Sequence, residues 1–144
     1  MTEQKSNTSI TFDQILLYII AIYHMALGIM GIFFKSQAVL IARSFFSFNL
    51  DYTSQIKWII NPFAAYVFIF GIFVWVAATN PSKYRLVIWA ILGLFVIRVL
   101  QRGFFILFAD PSLKAIVDPT QNLIHLLIVA AISVWLLKIA LQKK

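Results

Sequence analysis

The sequence contains no cysteine. That absence removes disulfides, thiolate nucleophiles, thiolate-held metals and Cys-x-x-Cys redox chemistry together, and it leaves the redox compartment unreadable. Charge is also scarce: 12% of the 144 residues are charged and 62% are hydrophobic, where a soluble domain carries about a quarter charged and about half apolar residues. Acidic residues are rarest, five against twelve Lys and Arg, and none lies inside the long apolar runs. Proton relays made of intramembrane carboxylates, and isomerase-like chemistry that needs paired acids, are therefore disfavoured. A phosphate-binding Gly loop, a His-x-x-His metal spacing and a Ser nucleophile elbow are missing too. No catalytic residue and no metal site is assigned from the sequence.

What the chain does have is apolar length. Four runs, residues 15–34, 58–78, 84–108 and 123–141, are each near the roughly 20 residues that span about 30 Å of hydrocarbon at 1.5 Å per residue. Backbone groups cannot stay unpaired in lipid, so runs of this length are helices. The expected fold class is all-α: a four-transmembrane-helix antiparallel bundle, one transmembrane domain over residues 1–144. Helices are expected at about 12–34, 58–78, 81–108 and 119–142, which leaves no room among these residues for a soluble catalytic domain. The first run has no small-x-small cleavage site behind it and reads as a retained helix, not a signal peptide.

The prolines punctuate these runs consistently. All four follow Asn or Asp: Asn61-Pro62, Asn80-Pro81, Asp110-Pro111 and Asp118-Pro119. Asn and Asp cap helix starts by accepting a backbone N–H, and Pro suits the first helical position because it has no N–H to leave unpaired. The four pairs are accordingly expected to open helix two, helix three, a short surface helix and helix four. Helix one is expected to start with a capping box, Thr11 as cap and Gln14 three residues on. The short link around Thr79-Asn80-Pro81 makes helices two and three antiparallel neighbours.

Between helices one and two, Ala38, Ile41, Phe45, Phe48 and Tyr52 share one helical face, with Ser36, Arg43, Ser47 and Asp51 roughly opposite. This spacing predicts an interfacial amphipathic helix over about 38–50, lying in the headgroup plane with its aromatic face dipped inward. An irregular loop over the mouth of the bundle is the alternative.

The net charge of +7 sits mostly at helix ends, where anionic lipid headgroups are the natural counter-charge. Basic runs with interleaved aromatics are lacking outside the apolar segments, so membrane lipids are the expected partners and nucleic acid is not. Lys5, Lys83, Arg85, Lys138, Lys143 and Lys144 fall on the side of the termini. Lys35, Arg43, Lys57 and Lys114 fall opposite, with Arg102 close by. The excess on the first side places both termini in the cytoplasm of a multi-pass integral membrane protein.

The polar residues inside the apolar runs are few and are not scattered. His24 lies ten residues before Phe34, and Arg98 ten before Phe108, which puts both about 15 Å deep. Arg102 and His125 each lie about 9 Å below the same surface, and Tyr66 is near that shallower layer. An Arg near the centre of a membrane helix costs about 2.5–3.5 kcal/mol on insertion scales. With no acidic residue in the runs, its partners must be backbone carbonyls, neutral side chains, water or a bound anion. Arg98 and Arg102 are four apart, so they share a helix face and repel unless something negative lies between them.

Each of these residues also has a plain structural reading. Arg102 can snorkel to the interface, Arg98 can bond to carbonyls near a helix break, and His24 and His125 can serve as hydrogen-bonders of the bundle core. The glycines, Gly28 and Gly31 in helix one with Gly71 and Gly93 elsewhere, suit close helix approach. Aromatics make up 16% of the chain, and Trp58, Tyr84, Trp89 and Trp135 lie mostly near helix ends as interface anchors. Haem held by the two His is disfavoured, because they differ by about 6 Å along the membrane normal. No cofactor is assigned.

The four-helix layout, the tight link between helices two and three and the Arg-bearing stretch Gly93-Leu94-Phe95-Val96-Ile97-Arg98-Val99-Leu100-Gln101-Arg102-Gly103 resemble the DoxX-like small membrane proteins. That resemblance implies a four-helix bundle and either a hydrophobic or quinone-like ligand or a partner subunit. The chain has no redox centre of its own to carry an oxidoreductase activity. The functional expectation is thus a multi-pass membrane protein without an evident catalytic centre, more a binding protein than an enzyme. It would hold an anionic or hydrophobic amphiphile, lipid or quinone-like, against Arg98, Arg102, His24, His125 and Tyr66. The alternative is an accessory subunit of a larger membrane complex, and a homo-oligomer is also open.

Overall fold

In a computed structural model, which describes residues 10–46 and 52–142 but not the side chains of Phe45, Phe46 and Leu113, the chain is all-helical. Six helices follow in order: α1 (Phe12–Phe33), α2 (Lys35–Phe46), α3 (Ser54–Thr79), α4 (Arg85–Phe108), α5 (Pro111–Ile116) and α6 (Pro119–Leu141). Four of them, α1, α3, α4 and α6, are long and apolar enough to cross a membrane.

Within these spans only 17–33% of the most apolar stretch is buried inside the molecule. Large apolar side chains such as Leu86, Trp58, Leu107 and Val134 are instead more than two-thirds exposed. Helices that are apolar on their outward faces as well belong in hydrocarbon. The four spans support a multi-pass membrane protein.

Helix starts follow local chemistry, with two departures from expectation. Thr11 and Gln14 form the reciprocal capping box on α1, and the Asp118 carboxylate accepts from the N–H groups of Thr120 and Gln121 to open α6 at Pro119. Asn61-Pro62, however, does not open a helix. α3 begins seven residues earlier than Asn61, at Ser54, where the Thr53 hydroxyl accepts from Ile56 N–H at 3.3 Å, and Pro62 lies inside the helix. An interior Pro loses one backbone bond; in hydrocarbon that is milder than a new helix end with several unpaired N–H groups. Asn80 does cap, accepting from Lys83 N–H at 3.0 Å, but residues 81–84 form a turn and regular helix begins only at Arg85.

α1 and α3 form the tightest pair. A Cβ on Gly28 would fall 2.5–2.7 Å from Phe68 backbone and Cβ atoms, one on Gly31 would fall 2.5 Å from Ala64 Cβ, and one on Gly71 would meet Met25 and Ala21. Contacts that rise through 21, 25, 28 and 31 on α1 descend through 71, 68 and 64 on α3, so the two helices run in opposite directions. Absent side chains let the backbones touch. α4 and α6 form a second pair, also running oppositely: Arg85 Nε donates to Ala140 O at 2.6 Å, and Arg102 pairs with Asn122 at the other end.

The two pairs meet through one core. Leu17, Ile20 and Ala21 of α1, Val74, Ala77 and Ala78 of α3, Ile88, Ile91, Leu92 and Phe95 of α4, and Leu136, Ile139 and Ala140 of α6 pack together. All lie toward the end where α1 begins and α6 finishes. Five side-chain bonds tie that end: Gln14 to the Ala78 and Thr79 carbonyls, Arg85 to the Ala140 carbonyl, and Trp135 and Gln142 to the two oxygens of Asp13. Beyond Phe95 no residue of α4 is buried, and the molecule opens.

Candidate functional site

The opening is a cavity of about 620 Å³ between α1, α2, α3, α4 and the start of α6. Its walls come from residues one helical turn apart. α4 contributes Arg98, Gln101, Arg102 and Phe105, an i, i+3, i+4, i+7 stripe that is one face of a helix. α1 contributes Tyr23, His24, Leu27 and Gly31, and α3 contributes Ile60, Phe63, Ala64 and Val67. Val117 and Asn122 close the side at α6, while Ala38, Val39 and Ala42 of α2 cover the remaining side. Of the α2 face read from the sequence, Ala38 lines the cavity, whereas Ile41 is 40% exposed. Tyr52 lies near Lys57, whose ammonium sits 4.8 Å from its ring centroid; the Phe45 side chain, Ser47, Phe48 and Asp51 lie outside what is described, as do Lys5, Lys143 and Lys144.

Among the described residues none that lines the cavity is acidic. Two guanidinium groups, one turn apart on α4, face this one open volume. Arg102 is half-buried, and its Nη1 donates to Asn122 Oδ1 at 2.7 Å while Asn122 Nδ2 donates back to the Arg102 carbonyl at 3.3 Å. This reciprocal pair fixes the Arg102 side chain against the first turn of α6, with Asn122 itself 4% exposed. Arg98 is exposed to the cavity and has no hydrogen-bonding partner among the described residues.

His24 is buried, with its ring edge-on to Phe70 (centroids 4.8 Å apart) and to Phe95 (6.3 Å). Its Nδ1 lies 2.8 Å from the Ile20 carbonyl. A carbonyl only accepts, so Nδ1 carries the proton and Nε2 is left for another partner. Among the described residues every sealed polar side-chain atom has a partner. Nε2, which bonds to none of them, is therefore open to the cavity.

A smaller cleft of about 180 Å³ runs between α3 and α4 and is lined by Phe63, Tyr66, Val67, Phe70, Leu94 and Phe95 together with His24 and Arg98. Of the five residues expected to form a site, Arg98, Arg102 and His24 thus share the large cavity. Tyr66 lines only the small cleft, 75% exposed. His125 lines neither, and its Nδ1 bonds to the Gln121 carbonyl of its own helix at 2.7 Å. Arg102, which depth had grouped with His125, bonds to Asn122.

Asn122, Gln101 and Tyr23 escaped the sequence reading. Asn122 lies in the first turn after Asp118-Pro119, where a polar residue passes for ordinary helix-start chemistry. Counted from the same surface it lies about 4.5 Å deep against about 9 Å for Arg102, so residue counting gave no signal that the two meet. Among the described residues there is no cluster of three His, Cys, Asp or Glu able to hold a metal. Comparison with family models, with curated proteins and with solved structures finds no match to this chain.

Proposed function

We propose that this protein is a four-helix antiparallel membrane bundle, with α2 lying in the headgroup plane, that binds an anionic amphiphile in the cavity beneath α2. The observation that carries this reading is the placement of Arg98 and Arg102 on one face of α4, facing a cavity of about 620 Å³ whose lining, among the described residues, holds no acidic side chain. Pockets of about 300–1,000 Å³ lined mainly by apolar side chains with a few convergent polar groups are typical of small-molecule sites. Here the polar groups are cationic or neutral, so the ligand they suit is an acceptor: a carboxylate, a phosphate or a polarised carbonyl.

Arg102, held by Asn122, supplies a positioned fork; Arg98 supplies a second guanidinium one turn away; His24 Nε2 supplies one further site. A bound anion between the two Arg relieves their mutual repulsion. The reading keeps the termini in the cytoplasm and the cavity in the outer half of the bilayer, and it keeps the resemblance to DoxX-like proteins as part of the same proposal. Native mass spectrometry of the purified protein tests it. The wild type is expected to carry a small bound species that Arg98→Leu loses while remaining folded. The same species on both proteins overturns the proposal, and stoichiometric foreign chains on both would favour an accessory subunit instead.

A further inference from the structure

The large cavity and the small cleft are continuous in their walls: His24, Phe63, Val67 and Arg98 line both. The two differ in chemistry. The cavity gathers Arg102, Gln101, Asn122 and Tyr23, whereas the residues peculiar to the cleft are Tyr66, Phe70, Leu94 and Phe95. Arg98 stands at the junction. The cleft lies between α3 and α4, two helices whose buried residues concentrate near the turn that joins them, with Ala64 the exception. Farther along, Phe63, Tyr66, Leu94 and Ile97 are about half to three-quarters exposed. In a bilayer those side chains face hydrocarbon, so the cleft is a slot that opens to the lipid and shares a wall with the cationic cavity.

We infer that the ligand is a single-chain anionic amphiphile drawn from the bilayer, its head at Arg98 and Arg102 and its chain threaded out through the α3–α4 cleft. The inference rests on the cavity reading above and adds the class of ligand and its route. The slot of about 180 Å³ is smaller than the roughly 300 Å³ at which whole-ligand pockets begin, so it takes a narrow chain segment and not a headgroup. A cation at the junction and an apolar slot beyond it suit a molecule that is anionic at one end and hydrocarbon at the other. Lipid-facing entry also spares the apolar chain any passage through water.

The test uses the full chain in nanodiscs of neutral phosphatidylcholine and two probes with the same carboxylate head: oleate, whose chain must leave the cavity, and hexanoate, which fits inside it. Leu94→Trp fills the slot from α4 and Tyr66→Trp fills it from α3; both positions are lipid-exposed, so at least one variant is expected to fold. With the slot filled, the oleate chain has no exit and must fold back inside the cavity or draw its head away from Arg98. Filling the slot is therefore expected to weaken oleate by about tenfold or more and to leave hexanoate unchanged, while Arg98→Leu weakens both. If the slot-filling variants bind oleate as the wild type does and Arg98→Leu still loses both probes, the threading inference is overturned and the cavity reading stands. If Arg98→Leu binds both probes normally, or the wild type binds neither, the cavity reading fails and takes the inference with it.

Discussion

The two ends of this molecule are built to different rules. Toward the start of α1 and the finish of α6, side chains from all four long helices interdigitate, with Leu17, Val74, Ile88 and Leu136 fully buried, and five side-chain bonds tie the helix ends together. Toward the other end the tightest approach is the α1–α3 seam at Gly28, Gly31 and Ala64, and the Arg face of α4 lines open volume. One end is closely packed, and the other is the end where the proposed ligand would sit. A bundle that needed only stability would fill the cavity with leucine, because open volume in a core forfeits packing.

Core truncations should separate the two ends most sharply. Leu17→Ala removes a fully buried side chain and is expected to cost about 2–5 kcal/mol. Val67→Ala, on the half-buried cavity wall, is expected to cost about 1 kcal/mol or less. Reversible unfolding in mixed micelles measures both, and equal losses would mean that the cavity wall is as tightly packed as the core.

A smaller effect is expected from the glycines, and it divides them in the same way. Gly28→Ala places a Cβ against the Phe68 backbone, which cannot move without shifting a helix, so α1 and α3 must separate at a cost of about 1–3 kcal/mol. Gly93→Ala meets nothing within 4 Å and should be neutral or stabilising by up to about 1 kcal/mol, the ordinary helix preference for Ala over Gly. The same unfolding assay reads the pair. Loss of stability at Gly93 would place an unseen contact on that face of α4.

The sequence disclosed the elements better than their faces, and the reason is physical. Apolar run length is imposed by the bilayer, so four spanning helices were legible without any partner in view. Side-chain caps that accept backbone N–H groups were legible at Thr11 and Asp118 because a cap is a local event. Pro62 misled, since the penalty that makes Asn-Pro a helix start in water is outweighed where a helix end in lipid would cost more. Counting residues gave depth, which placed His24 with Arg98 and His125 with Arg102. Depth carries no azimuth. α6 is apolar nearly all round, so nothing in its pattern says which side faces the core, and nothing in the count pointed to Asn122, less than one turn from His125, as a residue that bonds to Arg102. The α2 face was legible only in part: Ala38 lines the cavity as expected, but it is joined there by Val39 and Ala42, while Ile41 is 40% exposed.

Whether Arg98 is held for a ligand or for the fold decides the account. The direct measurement is the thermal unfolding midpoint of delipidated wild type and Arg98→Leu, each with and without oleate. An unpaired guanidinium near the middle of a membrane helix is unfavourable, so without oleate the variant is expected to unfold no earlier than the wild type. Saturating ligand at about 100 times its dissociation constant adds about 2.7 kcal/mol, or roughly 5–10 °C at this size, and that rise is expected in the wild type alone. A variant that melts several degrees earlier without ligand, and responds to oleate as the wild type does, would make Arg98 a structural residue and contradict the account.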